Sequence, residues 1–132
     1  MEYTRRKECC VSKQSFIAVI DDDESFRIAL VESLNSLGYA ASGFCSAEDF
    51  IAADGMDSWD CAITDIQMPG MSGLDLARRI VSSGHKTPII MITARKEAGL
   101  EAKSTACGAV GLLRKPFETD ALIECLERAL KV

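Results

Sequence analysis

Two rhythms of hydrophobic and polar positions alternate along the chain. Phe16-Ile17-Ala18-Val19-Ile20 and Pro88-Ile89-Ile90-Met91-Ile92-Thr93 are almost continuously apolar, as expected of strands buried on both faces. Shorter apolar stretches predict further strands at 39–43, 60–64 and 109–113. Between them, apolar residues recur at three- and four-residue spacing, the period of a helix with one buried face. One such stripe is Phe26, Ala29, Leu30, Leu34 and Leu37; a second is Leu74, Leu76, Ala77, Ile80 and Val81; a third is Leu122, Ile123, Leu126, Ala129 and Leu130. Asp23, Ser46 and Ser72 are suited to cap helix starts, and Gly38, Gly84 and Gly108 to end helices. Ser46 opens a short helix to about residue 53, a weakly patterned helix is expected over 97–107, and Glu118 or Thr119 opens the last helix. Residues 54–58 read as loop. Residues 1–14 are polar and unpatterned, and read as a disordered or weakly attached arm ahead of a domain at 15–132.

The order is strand then helix, five times over. Such alternation predicts an α/β fold, a doubly wound five-stranded parallel sheet flanked by five helices. The 132 residues suit one domain. With 48% hydrophobic and 27% charged residues, the composition is that of a soluble globular protein. A net charge of −5 argues against a nucleic-acid surface on this chain. No run approaches the roughly 20 apolar residues of a membrane helix, and no secretory signal is visible. Of the six cysteines, Cys45, Cys61, Cys107 and Cys125 fall in apolar-patterned segments, and Cys9-Cys10 sit in the arm. There is no C-x-x-C pair and a single histidine, His85, so a zinc site is not indicated. A reducing cytoplasm is the expected setting.

In a parallel sheet every strand ends on the same side, and ligands bind outside those ends. The residues at or just past the strand ends are Asp21 and Asp22, Asp65, Thr93 and Lys115. Taken singly, each has a plain structural explanation; Asp65, for instance, is the residue type that closes a turn. Together they place three carboxylates, a hydroxyl and an amine in one crevice. Clustered carboxylates bind a hard cation, and Mg²⁺ suits a few carboxylates plus phosphate oxygens. A carboxylate can also act as a nucleophile and form an acyl phosphate. Phosphoryl transfer then needs stabilisation of charge on the phosphoryl oxygens. The cation, Lys115 and Thr93 supply it.

The strings Val19-Ile20-Asp21-Asp22-Asp23-Glu24, Asp65-Ile66-Gln67-Met68-Pro69-Gly70-Met71-Ser72-Gly73, Thr93-Ala94 and Lys115-Pro116-Phe117 resemble the receiver domain of two-component response regulators. The resemblance covers about residues 15–132 and is closest to FixJ-type receivers, which usually precede a DNA-binding domain. It implies a flavodoxin-like fold of the receiver type. It also implies that Asp65 is the phosphoacceptor for a sensor histidine kinase, and that Asp22 binds Mg²⁺ directly and Asp21 through water. The Gln67 backbone carbonyl would be a further metal ligand. Thr93 and Lys115 would hold the phosphoryl group, and Lys115-Pro116 would be cis. The implied domain catalyses its own phosphorylation, from phosphohistidine or an acyl phosphate, and its own dephosphorylation, rather than turning over a separate substrate. A phosphorylation-dependent homodimer through the helix 4–strand 5–helix 5 face is implied too, with output through an effector domain regulating transcription. One departure stands out: Leu112 occupies the fifth-strand position where the family commonly has Tyr or Phe. Gln67 and Arg95 sit where family members tune dephosphorylation.

Two other functions fit parts of the pattern. An aspartate-nucleophile phosphohydrolase also forms an acyl phosphate beside Mg²⁺, but it resembles a D-x-D pattern, and the second acid is here Gln67. A docking module without phosphorylation is expected to lose one of the five residues, and all five are present.

Overall fold

The computed structural model describes residues 14–53 and 58–131. All but the last residue of the expected arm, with Cys9 and Cys10, and most of the 54–58 loop lie outside the described residues. The elements run β1 (Phe16–Ile20), α1 (Glu24–Ser36), β2 (Ala40–Phe44), α2 (Ala47–Ala52), β3 (Cys61–Asp65), α3 (Gly73–Ser82), β4 (Ile89–Thr93), α4 (Leu100–Ala106), β5 (Gly111–Arg114) and α5 (Thr119–Leu130). All strand pairs are parallel, and the spatial order is β2-β1-β3-β4-β5. The order reverses at β1, and such a reversal opens a crevice at the carboxyl ends of the strands on either side of it. In this molecule those strands are β1 and β3, which carry Asp21, Asp22 and Asp65.

The pleat divides the core in two, because successive strand residues face opposite sides. Ile17, Val19, Cys61, Ile63, Ile90 and Ile92 pack with Leu30 and Leu34 of α1 and with Leu122, Cys125, Leu126 and Ala129 of α5. Ala18, Ile20, Ala62, Ile89 and Met91 pack on the other face with Phe50 of α2, Leu76 and Ile80 of α3, and Leu100 of α4. Every residue of β3 and β4 is buried, which is why their sequences show no alternation. Asp21 and Asp65 continue the parity of Val19 and Ile63, toward α1 and α5. Thr93 continues the parity of Met91, toward the opposite face.

The expected caps form. Asp23, Ser46 and Ser72 accept hydrogen bonds from Phe26, Asp49 and Asp75 N–H, and Asp75 completes a capping box. Several elements differ from expectation, α3 among them, where Val81 of the expected stripe is exposed. The fourth helix starts at Leu100 rather than 97, because Gly99 takes φ +89° and the chain turns there. β5 starts two residues into its apolar run, and Val110 stays half exposed. On α1, Ala29 is exposed and so is Leu37 at its C-cap, so the buried stripe narrows to Leu30 and Leu34. Cys45 is exposed rather than core, and its thiol donates to Asp49 Oδ2 at 2.9 Å. Cys61 is buried as expected; burial, then the nearby Cys125, push its thiol up to about 12. Among the described residues, no helix is long and apolar enough to cross a membrane.

Candidate phosphoacceptor and metal site

Asp65 closes β3, flanked by β1 and β4. The chain then turns back over the strand end, and Gly73 packs against the Asp65 peptide: a Cβ on Gly73 would strike the Asp65 carbonyl oxygen. Only glycine lets α3 start this close to the acid. The intervening loop is anchored by buried Ile66 and Met68. From α2, Glu48 Oε2 accepts the Met71 N–H at 2.9 Å. Gly70 takes φ +75° beside that carboxylate.

Asp21 is fully buried and Asp65 nearly so, while Asp22 is exposed. Each of the three offers a carboxylate oxygen, and these oxygens lie within 4.8 Å of one another. That is little wider than the span of about 4.2 Å across an octahedral Mg²⁺ with ligands at about 2.1 Å. An all-oxygen, carboxylate-rich donor set with one exposed member fits a hard cation that retains water. The cluster can therefore bind a metal.

Lys115, just beyond β5, reaches into the cluster. Its ammonium donates to Asp21 Oδ2 at 2.9 Å and to Asp65 Oδ2 at 3.2 Å. The Phe26 ring centroid lies 4.1 Å from the same nitrogen. The Lys115–Pro116 peptide is cis, as expected. The other carboxylate oxygens are also engaged: Asp21 Oδ1 accepts the Asp23 N–H at 2.9 Å and Asp65 Oδ1 the Gln67 N–H at 3.1 Å. Asp65 does therefore close a turn, in addition to its contact with Lys115. Burial, then the negative charge of Asp21, push the Asp65 carboxyl above the usual range; the Lys115 charge and the Gln67 N–H offset this only in part. Burial would lower the Lys115 amine, but its hydrogen bond to Asp21 and the charges of Asp65 and Asp21 outweigh it and raise the amine.

Thr93 is buried at the end of β4 but does not join this group directly. Its hydroxyl donates to Gln67 Oε1 at 2.8 Å and accepts the Arg95 N–H at 3.0 Å. Four of the expected residues thus meet, Asp21, Asp22, Asp65 and Lys115, and Gln67 links Thr93 to them through its own backbone. In the sequence Phe26 is one residue of a helix stripe and Glu48 one residue of a capped helix start, and neither pattern points to the site. An aromatic residue soon after the acids was the only available sign of the first. Nothing local signalled the second.

A buried acid ends the central strand, two acids lie just past the neighbouring one, and a lysine reaches in from the sheet edge. The sequence matches the response regulator receiver domain family over residues 17–127. The chain belongs to that family, whose function is phosphorylation-controlled signalling. This receiver domain is 33% identical over 121 residues to the transcriptional regulatory protein FixJ of Bradyrhizobium diazoefficiens, covering 92% of this chain and 59% of that protein. It is 33% identical over 120 residues to the response regulator protein TmoT of Ectopseudomonas mendocina, covering 91% and 54%. The chain thus spans between half and three-fifths of these relatives' length. Among solved structures it resembles FixJ-N, with a TM-score of 0.82, 31% identity and coverage of 91% of this chain and 96% of that one. It also resembles the BeF3-activated DrrB receiver domain, with a TM-score of 0.81, 27% identity and coverage of 91% and 100%. The flavodoxin-like receiver fold is therefore shared.

Proposed function

We propose that Asp65 accepts a phosphoryl group from a phosphohistidine of a sensor histidine kinase, and that the receiver unit at 15–132 then changes its partner-binding face. The observation that carries this reading is the pairing of one lysine with a buried carboxylate at the end of the central strand. The Asp65 carboxylate attacks phosphorus, the bond from phosphorus to the imidazole nitrogen breaks, and the imidazole keeps that electron pair. Lys115, already at the carboxylate, is placed to take the phosphoryl oxygens as its new partners. Thr93 supplies a hydrogen bond once its hydroxyl leaves Gln67. Asp21, Asp22, Asp65 and the Gln67 backbone carbonyl would hold Mg²⁺. When bound, the ion neutralises charge on the transferring group.

On this reading the domain promotes its own phosphorylation and dephosphorylation and is not an enzyme acting on a separate substrate. Its setting is the cytoplasm, where its kinase partner presents the phosphohistidine. The relatives are a response regulator and a transcriptional regulatory protein, which supports an output in transcription through an effector domain. A homodimer through the α4–β5–α5 face is the proposed switch product, and this chain itself contacts neither nucleic acid nor membrane. The test is uptake of phosphate from a small acyl phosphate with Mg²⁺, read by intact mass. Wild type gains one phosphoryl mass and Asp65→Asn none. Undiminished labelling of Asp65→Asn would overturn the assignment.

A further inference from the structure

Three groups hold the Lys115 ammonium, and two of them are needed elsewhere. Asp21 Oδ2 and Asp65 Oδ2 belong to the acidic cluster. A carboxylate oxygen that enters a cation's coordination sphere, or becomes bonded to phosphorus, has less negative charge to offer an ammonium. The third group is the Phe26 ring, with its centroid 4.1 Å from Nζ. That is well inside the range of about 6 Å over which a ring face attracts a cation. No oxygen is involved, so neither metal nor phosphate competes for this contact.

The ring is itself fixed. The Phe26 N–H donates to the capping carboxylate of Asp23 at 3.2 Å, which sets the first turn of α1. Phe117, two residues beyond Lys115, meets the Phe26 ring edge-to-face at 6.0 Å and 84°. Both rings are partly buried against the α1–α5 core. We propose that Phe26 is a positioning residue for Lys115: its ring keeps the ammonium at the crevice when the carboxylates release it, so that the amine meets the incoming phosphoryl oxygens already placed. The proposal rests on the reading of Asp65 as phosphoacceptor. A lysine on a flexible four-carbon stem loses rotamer freedom each time it is fixed. A ring restrains it without neutralising the charge that the phosphoryl group requires. Leucine would fill much of the same space but has no quadrupole.

Two measurements test this on wild type, Phe26→Leu and Phe26→Tyr. The first is the proton resonance of the Lys115 ε-methylene by NMR. In wild type it is expected upfield of exposed lysines through the ring current, and it stays there when Mg²⁺ is added; in Phe26→Leu the shift is lost. The second is the saturated labelling rate with acetyl phosphate and Mg²⁺. Phe26→Leu should label about three- to tenfold more slowly, Phe26→Tyr at close to the wild-type rate, with Mg²⁺ affinity unchanged in both. Labelling of folded Phe26→Leu at the wild-type rate overturns the proposal, as does a fall in Phe26→Tyr equal to that in Phe26→Leu. Loss of the ring-current shift in wild type on adding Mg²⁺ overturns it too, and needs no variant to fold. Failure of wild type to label, or labelling of Asp65→Asn, defeats the phosphoacceptor reading instead, and leaves the resonance in Mg²⁺ as the measure of the ring contact.

Discussion

At the scale of single residues, the site is a problem in unequal charges. Asp21 and Asp65 are withdrawn from water and share one ammonium. Removing that ammonium leaves two buried carboxylates with no cation. Breaking a fully buried pair costs about 3–5 kcal/mol, whereas surface pairs contribute under about 1. Lys115 keeps a solvent-facing edge, so Lys115→Gln should cost about 2 kcal/mol at neutral pH without metal. The pH dependence has two limbs. A carboxyl raised in the folded state binds protons more tightly there than in the unfolded chain, so its ionisation lowers stability as pH rises through that window. Without Lys115 the Asp65 carboxyl should rise further, and the variant's deficit should shrink as pH falls toward the ordinary carboxylate range. The amine has the opposite sense. Its stabilisation is fully present below the unfolded value of 10.5 and is lost as pH rises through the raised folded value. Urea midpoints from pH 4 to pH 11 should therefore converge at both ends. A constant gap between the two proteins would show that Lys115 acts by packing alone.

At the scale of elements, the legible parts were those where periodicity or chemistry left one choice. β1 and β4 could be read because burial on both faces leaves almost no polar residues, Thr93 at the end of β4 excepted. The helix caps could be read because Ser and Asp before a stripe satisfy free N–H groups. The start of α4 could not, since its low hydrophobicity gave no phase and Gly99 determined the turn. β5 slipped because Ala109 and Val110 are apolar yet lie before the ladder. The residues at strand ends were legible as a set, because topology alone brings them together. The Thr93–Gln67, Met71–Glu48 and Lys115–Phe26 contacts were not, because they depend on where side chains turn after the backbone is placed. Leu112, in place of the family's common aromatic, is partly buried against the core beneath α2–α4, where it acts as packing. Leu112→Ala should cost about 1–2 kcal/mol, less than a fully buried leucine, and change the acetyl phosphate labelling rate less than twofold. Denaturation midpoints and intact-mass time courses measure the two. Wild-type stability with lost phosphate-dependent dimerisation would make Leu112 a switch residue.

At the scale of the whole molecule, the acids come together only because the sheet order does. Ile20 pairs with Thr64 in register, so Asp21 and Asp65 are adjacent, although 44 positions separate them in sequence. In an unfolded chain that arrangement does not exist. A cation that needs all three carboxylates therefore binds the folded form and stabilises it by mass action, by about 2.7 kcal/mol at a hundredfold excess over its dissociation constant. For a domain of this size that corresponds to a rise in melting temperature on the order of 10 °C. Na⁺ at matched ionic strength only screens charge and should give less. Asp22 separates the contributions. It is exposed, whereas the Lys115 hydrogen bonds go to Asp21 and Asp65, so its repulsion toward the other two is mostly screened. Asp22→Asn should raise the metal-free melting temperature by only a degree or two. The same change removes a ligand and should abolish most of the Mg²⁺ increment. If these acids were merely solvated residues at a helix start, Asp22→Asn would leave the response to Mg²⁺ unaltered. Melts of both proteins in EDTA, Na⁺ and Mg²⁺ distinguish the two. A wild type that gains nothing from Mg²⁺ beyond the Na⁺ control would show that the three carboxylates do not form a metal site.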